Sequence, residues 1–260
     1  MPLTPFEKVP QGPGSLRLLS YNIQTGIASQ NFRDYLINGW KHLLPSPDRI
    51  VNLNRIAELI GRFDVVGLQE TDAGSLRSHY LNQTEYLAMK AGMPYWNMKV
   101  NRNLGHLGQH SLGLIARQEP EFIDCVPLPS RIPGRGAMVA DFRLVGERVR
   151  IVISHLSLSS MARHQQMEVI LNLVKDAPHS IVMADFNCEP GSPEIRRLCD
   201  NSGLYLPDAP PATYPSWRPK RAIDHVLISE GLRFDIVESL PVGFSDHCPL
   251  AVQVSLNRGD

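Results

Sequence analysis

The chain has 260 residues, 43% of them apolar, with 26 basic and 26 acidic side chains and a formal net charge of +0. That balance excludes a broad electrostatic pull toward nucleic acid or anionic membrane, although a local basic patch is still allowed. The composition is that of a soluble globular protein with enough apolar residues for a large core. The four cysteines, Cys125, Cys188, Cys199 and Cys248, have no Cys-x-x-Cys spacing. This argues against structural zinc or a disulfide framework and for reduced thiols in a cytoplasmic protein. Residues 1–14 carry four prolines and lack the basic start and apolar centre of a signal peptide. They are expected to form a loose tail before a single domain, 15–260. No apolar run approaches a transmembrane span, and a monomer is expected.

In chain order, residues 16–22 predict a first strand ending at Asn22, followed by the loop Gln24-Thr25-Gly26. Over 31–44, Phe32, Tyr35, Leu36, Trp40, Leu43 and Leu44 repeat at helical spacing, and Pro45 and Pro47 stop the pattern. Asp48 is placed to cap a second helix whose buried face is Leu53, Ile56, Ala57 and Ile60, with Gly61 at its end. Residues 64–70 predict a buried strand that terminates in Glu70. Asn82 is placed to cap a helix to Ala91, closed by Gly92 and Pro94. Region 101–110 reads as a Gly- and Asn-rich loop, and 111–116 as a strand. Residues 137–142 and 149–154 read as a hairpin turning through Val145-Gly146-Glu147, its second arm running into His155. Ser159 or Ser160 opens a helix in which Met167, Ile170, Leu171 and Val174 repeat.

Residues 180–185 are small or apolar, β-branched in part, and followed by the turn formers Glu189-Pro190-Gly191. They predict a buried strand that delivers Asp185 and Asn187 to the same side. Ser192-Pro193 supply an N-cap and first-turn proline for a helix to about Cys199. A Pro-rich loop, 206–220, leads to a strand at 223–229 with Asp224 near its start. The last strand follows Phe244-Ser245-Asp246-His247-Cys248-Pro249. Strands that alternate with helices but also arrive as hairpins predict an α/β (α+β) fold of two mixed sheets packed face to face, with helices outside.

Asn22, Glu70, His155, Asp185, Asn187, Asp224, Asp246 and His247 all sit at or near strand ends. An unpaired charge leaving a buried strand is costly. Either each residue satisfies its own turn, or all of them converge on one rim and satisfy one another. Singly, a strand-end Asn or His is usually a structural hydrogen-bonding group; the ordered set favours convergence.

Tyr21-Asn22-Ile23, Leu68-Gln69-Glu70, Ser154-His155-Leu156, Ala184-Asp185-Phe186-Asn187, Ile223-Asp224-His225 and Ser245-Asp246-His247 resemble the ordered motifs of the endonuclease/exonuclease/phosphatase superfamily. This superfamily includes deoxyribonucleases, apurinic-site endonucleases, neutral sphingomyelinases, inositol-polyphosphate 5-phosphatases and deadenylases. The resemblance runs from about residue 16 to 254. It implies a four-layered α/β sandwich and metal-dependent hydrolysis of phosphoester bonds. Three features depart from the pattern or select within it. Ala184 stands where Gly is more frequent, and segment 29–47 is longer than expected. His155 is similar to the deoxyribonuclease and sphingomyelinase branches, where the apurinic-site branch has tyrosine.

Phosphoesters resist water because their anionic oxygens repel a nucleophile and the leaving alkoxide is a strong base. Catalysis needs a cation, a base for water and stabilisation of the leaving group. The hard oxygens of Glu70 and Asp246, with Asn22, suit Mg²⁺ or Mn²⁺. The resemblance implies that Asp185 orients or deprotonates water and that Asn187 contacts the phosphate or a ligand-bound water. It further implies that His247 sits on the phosphate, held in one tautomer by Asp224, and that His155 contacts the phosphate or protonates the leaving oxygen. Which histidine is the acid stays open.

Arg135 is either a phosphate contact or a turn arginine. His106 and His110 are either substrate contacts or solvated loop residues, and Trp217 is either a cleft wall or a loop anchor. Cys188, Cys248 and His225 adjoin motif residues, and strand alternation points them away. The helix expected at 31–44 either overhangs the cleft or packs on the core. The expected substrate is a small-molecule or lipid-linked phosphoester, with nucleic acid as the alternative. A non-catalytic interaction module on the same fold is the reading from a different class.

Overall fold

Two parallel strand pairs, each bridged by a helix, form the centre of the molecule. The structure, a computed structural model, describes residues 10–28, 47–78, 80–103, 109–130 and 134–257. The stripe at 31–44 and His106 lie outside the described residues. In the first sheet β1 (Ser15–Asn22) pairs in parallel with β2 (Val65–Asp72), and α1 (Pro47–Ile60) lies between them in sequence. In the second sheet β7 (Glu147–His155) pairs in parallel with β8 (His179–Asp185), joined by α3 (Ser160–Val174). A parallel pair needs such a crossover, because a short hairpin reverses the chain direction.

The other strands add in antiparallel fashion. They are β3 (Tyr95–Asn103), β4 (Gln109–Ala116), β5 (Phe122–Pro127), β6 (Gly136–Leu144), β9 (Leu204–Tyr205), β10 (Asp224–Ser229), β11 (Leu232–Ser239) and β12 (Leu250–Leu256). Both sheets have six strands, ordered β11-β12-β1-β2-β4-β3 and β5-β6-β7-β8-β10-β9. Two further helices among the described residues, α2 (Gln83–Ala91) and α4 (Pro193–Ser202), lie in the outer layers.

Alternation along the strands sorts the core into three apolar layers. Leu18, Val65, Leu114, Ile153, Met183, Val226 and Val252 fill the space between the sheets. Leu19, Val66 and Leu68 face the opposite way and meet Leu53, Ile56 and Ile60 of α1 and Leu87 of α2. Val152, Val182 and Leu227 meet Met167 and Ile170 of α3 and Leu198 of α4. The result is the expected helix–sheet–sheet–helix sandwich. Gly67 allows close sheet packing near the rim, since a Cβ there would lie 3.0 Å from Ile153 Cγ1 and Met183 Cε.

The caps follow sequence chemistry in part. Asn82 accepts from the N–H groups of Thr84 and Glu85, and Gly92 closes α2 in the left-handed conformation. Ser192 accepts from Ile195 N, with Pro193 as the first residue of α4. Ser159 holds the N-cap position of α3 without a side-chain cap bond. Asp48 falls in the first turn of α1, where a carboxylate suits the positive helix end. Of the expected tail, residues 1–9 are outside the described residues, while Pro10 O accepts from Gln253 Nε2 and Gly14 O from Leu256 N.

Strands β3, β5, β9 and β11 were not expected, and they are the four sheet edges. The loop expected at 101–110 is strand at 101–103 and at 109–110. An edge strand is half-wetted, so its sequence lacks a continuous apolar run; β5 alternates between exposed and half-buried residues.

Close packing of α2 on β4 gives a direct test of the layer spacing. A Cβ at Gly113 would lie 2.6 Å from Thr84 Oγ1 and 2.9 Å from Thr84 Cγ2. Gly113→Ala is expected to lower the unfolding free energy by about 1–3 kcal/mol, as overpacking does, measured by urea denaturation.

Candidate active site

The polar rim is a continuation of the inner apolar layer. His155, Asp185 and Asp224 lie side by side at the ends of β7, β8 and β10, with His155 and Asp224 both registered opposite Asp185. Each is two residues from a core residue on the same face, namely Ile153, Met183 and Val226. Period-two alternation therefore aims all three toward the other sheet, at the level where the apolar filling stops.

The first sheet answers from its own carboxyl ends. Asn22 closes β1 and donates from Nδ2 to Asp185 Oδ2 at 3.1 Å. Its Oδ1 accepts from Gln24 N at 3.1 Å. On β2 the pairing with β4 slips between Leu68 and Thr71, so Gln69 and Glu70 together oppose Leu112. Glu70 takes φ 54° in this bulge. The extra residue re-aims the side chain: Glu70 Oε1 lies 4.0 Å from His155 Nδ1. A non-glycine residue at positive φ costs on the order of 1–3 kcal/mol, a strain that concentrates at functional sites.

The remaining residues brace this centre. Asn187 is also left-handed, at φ 54°. Its N–H donates to Asp185 Oδ1 at 3.0 Å, and its side-chain amide donates to Leu156 O at 2.9 Å. His155 Nε2 is 3.3 Å and His247 Nε2 3.9 Å from Asp185 Oδ2. His247 Nδ1 lies 2.8 Å from Asp224 Oδ2, which also accepts from Thr213 Oγ1 at 2.6 Å. The Tyr214 ring packs on the His247 imidazole with centroids 4.9 Å apart. Ser245 Oγ donates to Asn22 O at 2.7 Å, tying the Asp246-His247 turn to β1. Thr213 and Tyr214 had no sequence signal of their own, since they lie in a loop and act through neighbours that only folding supplies, whereas Ser245 opens the motif that holds Asp246 and His247.

Glu70 and His155 open onto a cleft of about 1120 Å³ that His110 and Arg135 also line. Arg135 Nη1 donates to His155 O at 3.3 Å, so it is part of the rim. Trp217 is half-buried beside Ser216, whose N–H donates to Asp246 O; it is not among the residues lining this cleft. His225 turns outward, with Nε2 2.9 Å from Cys188 O and its ring against Phe186. Cys188 and Cys248 are buried, and burial raises both thiols above their ordinary value.

The sequence profile of the Endonuclease/Exonuclease/phosphatase family matches residues 19–247. The chain belongs to this family. A search of curated proteins finds no match. Among solved structures it is similar to an endonuclease/exonuclease/phosphatase from Beutenbergia cavernae DSM 12333, at 21% identity and TM-score 0.74, covering 94% of this chain and 72% of that one. It is similar to a mannosyl-6-phosphatase from Bacteroides thetaiotaomicron VPI-5482, at 17% identity and TM-score 0.70, covering 93% and 100%. The human Nocturnin catalytic domain with bound sulfate anion is also similar, at 17% identity and TM-score 0.68, covering 94% and 95%. At these identities the likeness shows the fold.

In this Endonuclease/Exonuclease/phosphatase chain the electrostatics divide the ionisable groups by role. Burial, reinforced by Asp224, pushes Asp185 up to about 7 against the pull of His247, Asn22 and the Asn187 N–H. Burial alone would lower His247, but Asp224 and Asp185 overcome it and raise the imidazole to about 10. Burial, then the positive charges around it, chiefly Arg135, hold His155 well below the usual range. Near neutrality His247 is therefore an imidazolium and His155 a neutral imidazole.

Two groups of ligand atoms could take a cation. Asp185, Asp224 and His247 offer ligand atoms within 4.8 Å of one another. In that group His247 Nδ1 is already committed to Asp224, which leaves a hydrogen-bonded relay. Glu70 and Asp246, beside Asn22, are the freer set. Burial pushes Asp246 up to about 6; His247 opposes this and Glu70 adds to it. A buried Asp246 whose ionisation the Glu70 carboxylate makes more costly fits a site that a cation relieves.

The His247 shift carries a pH signature. A histidine raised from an ordinary 6.5 to about 10 contributes stability that is fully present below pH 6.5 and is lost as pH rises through 10. In EDTA, urea unfolding of the wild type is expected to require less denaturant at pH 9.5 than at pH 6.5. In Asp224→Asn the fall is expected to be much smaller, with His247 titrating at least about two units lower by NMR.

Proposed function

We propose that this chain is a divalent-cation-dependent hydrolase in which water attacks phosphorus directly. The convergence on Asp185 carries the reading: one buried carboxylate oxygen lies 3.1 Å from Asn22 Nδ2, 3.3 Å from His155 Nε2 and 3.9 Å from His247 Nε2. Asp185 is the base that orients and deprotonates water, and a value raised to about 7 suits proton abstraction near neutral pH. His247, charged and fixed through Nδ1 by Asp224, donates from Nε2 to a phosphate oxygen. His155 contacts the phosphate as a neutral donor, so charge on the leaving oxygen is not met by an imidazolium at that position. Asn187 holds Asp185 through its backbone and keeps the β7 exit in place. Glu70, Asp246 and Asn22 would hold Mg²⁺, or Mn²⁺, which supplies charge neutralisation for the phosphoryl oxygens.

A small or lipid-linked phosphoester fits the even net charge better than a long polyanion does. The phosphatase named for the Bacteroides relative and the sulfate on Nocturnin are compatible with a site for a tetrahedral anion. The alternative is a divalent-cation-dependent nuclease, which Arg135 at the cleft would serve. The unpaired thiols support a reducing, cytoplasmic setting. Among the described residues, no helix is long and apolar enough to cross a membrane.

Purified protein is expected to hydrolyse bis(p-nitrophenyl) phosphate with Mg²⁺ or Mn²⁺ and to lose activity in EDTA. Asp185→Asn and His247→Ala are each expected to lower kcat by about 10²–10⁴-fold, the range for removing an acid–base group. Activity untouched by EDTA and by both substitutions would end this reading. Plasmid nicking without turnover of a phospholipid or sphingomyelin would move the assignment to the nuclease.

A further inference from the structure

One stretch of the cleft lining presents apolar side chains among the serines Ser130, Ser157 and Ser159, and a buried polar clamp holds it. Leu158 and Met161, at the entry to α3, are 79% and 68% exposed and line the same cavity as Glu70 and His155, with Ala162 and Pro129 beside them. A single exposed Leu or Met is ordinary on a protein surface. These two lie within one helical turn and face one concave site, where water is displaced when a ligand enters.

Their exposure is built in. Ser157 N donates to Gln166 Oε1 at 2.9 Å, and Gln166 Nε2 donates to Ser157 Oγ at 2.8 Å and to Pro129 O at 2.9 Å. Arg163 Nη1 donates to the carbonyls of Ser157 at 3.2 Å and Leu158 at 2.6 Å, while Nη2 pairs with Glu194 Oε1 of α4 at 2.9 Å. Gln166, Arg163 and Glu194 are all buried. This network holds the backbone on both sides of Leu158 in the conformation that leaves its side chain exposed. Apolar groups presented on a preorganised backbone bind a ligand without first paying its ordering entropy.

We infer that Leu158 and Met161 form a subsite for an aliphatic arm of the phosphoester, adjoining the phosphate position at His155. The inference rests on the phosphoesterase reading above and adds the chemistry of the substituent. Apart from the two histidines, no aromatic side chain occurs among the described residues lining the cleft. A nucleobase gains its contact energy from aromatic platforms, whereas a flexible thioether and a Leu side chain suit an alkyl chain of variable shape. Arg135 is the one permanent cation among those described lining residues, which matches a single phosphate better than a run of them.

Three diesters sharing p-nitrophenolate as leaving group test this, with methyl, hexyl and thymidine-5′-yl as the retained group. Burial of an alkyl arm is worth up to about fourfold per methylene. The wild-type kcat/KM for the hexyl ester is expected to exceed that for the methyl ester by at least about tenfold, and also to exceed that for the thymidine ester. In Leu158→Ser/Met161→Ser the hexyl-to-methyl ratio is expected to fall to near one, and in Leu158→Met/Met161→Leu to stay near the wild-type value. A flat wild-type series, a faster thymidine ester, a ratio retained in the serine variant, or equal loss on both alkyl esters would each overturn the subsite. Absence of metal-dependent turnover of all three esters by the wild type would instead overturn the underlying phosphoesterase reading.

Discussion

The Asp185 carboxylate is the point at which the two sheets are joined chemically. Below the rim the contact between the sheets is apolar and non-directional, and it would tolerate small slips. At the rim, one acid held by Asn22 of the facing sheet and by the Asn187 N–H of its own chain sets a definite distance between them. A buried charge with directional partners is expensive to form and more expensive to break. The fold meets that cost through the layers beneath it, where three blocks of apolar residues hold both sheets and the four described α-helices together.

Backbone topology explains why the site is here. In both sheets the parallel pair occupies the third and fourth positions. Asn22 and Glu70 lie at the carboxyl ends of one pair, and His155 and Asp185 at those of the other. Ligands collect outside the carboxyl ends of parallel strands, where chain connections diverge and leave a crevice. The antiparallel neighbour β10 then brings Asp224 in register with Asp185, and the turn before β12 brings Asp246 and His247. The left-handed backbones of Glu70 and Asn187 are local departures from regular strand geometry that this convergence requires.

Much of this was legible in the sequence because the central strands are buried on both faces. Their apolar runs are long enough to read, and each ends in a polar residue that has no reason to be in a core. The bulge at Gln69-Glu70 was not legible, because it follows from the pairing of β2 with β4 and leaves the local sequence unmarked. The edge strands were illegible for the opposite reason, since water on one side removes their pattern. Thr213 and Tyr214 sat in what read only as a Pro-rich loop. Their importance comes from Asp224 and His247, which approach them only in the folded chain. The clamp on Leu158 shows the same limit: Gln166 and Arg163 lie outside the apolar repeat of their helix, yet both are buried and bind the loop before it.

The central claim is that the two sheets are coupled through Asn22 and Asp185. A double-mutant cycle on unfolding free energy, using Asn22→Ala, Asp185→Asn and the double variant in EDTA, measures that coupling without reference to activity. The structure predicts a coupling of about 1–3 kcal/mol, as for a buried hydrogen bond to a charged group. Additive effects of the two substitutions would contradict it.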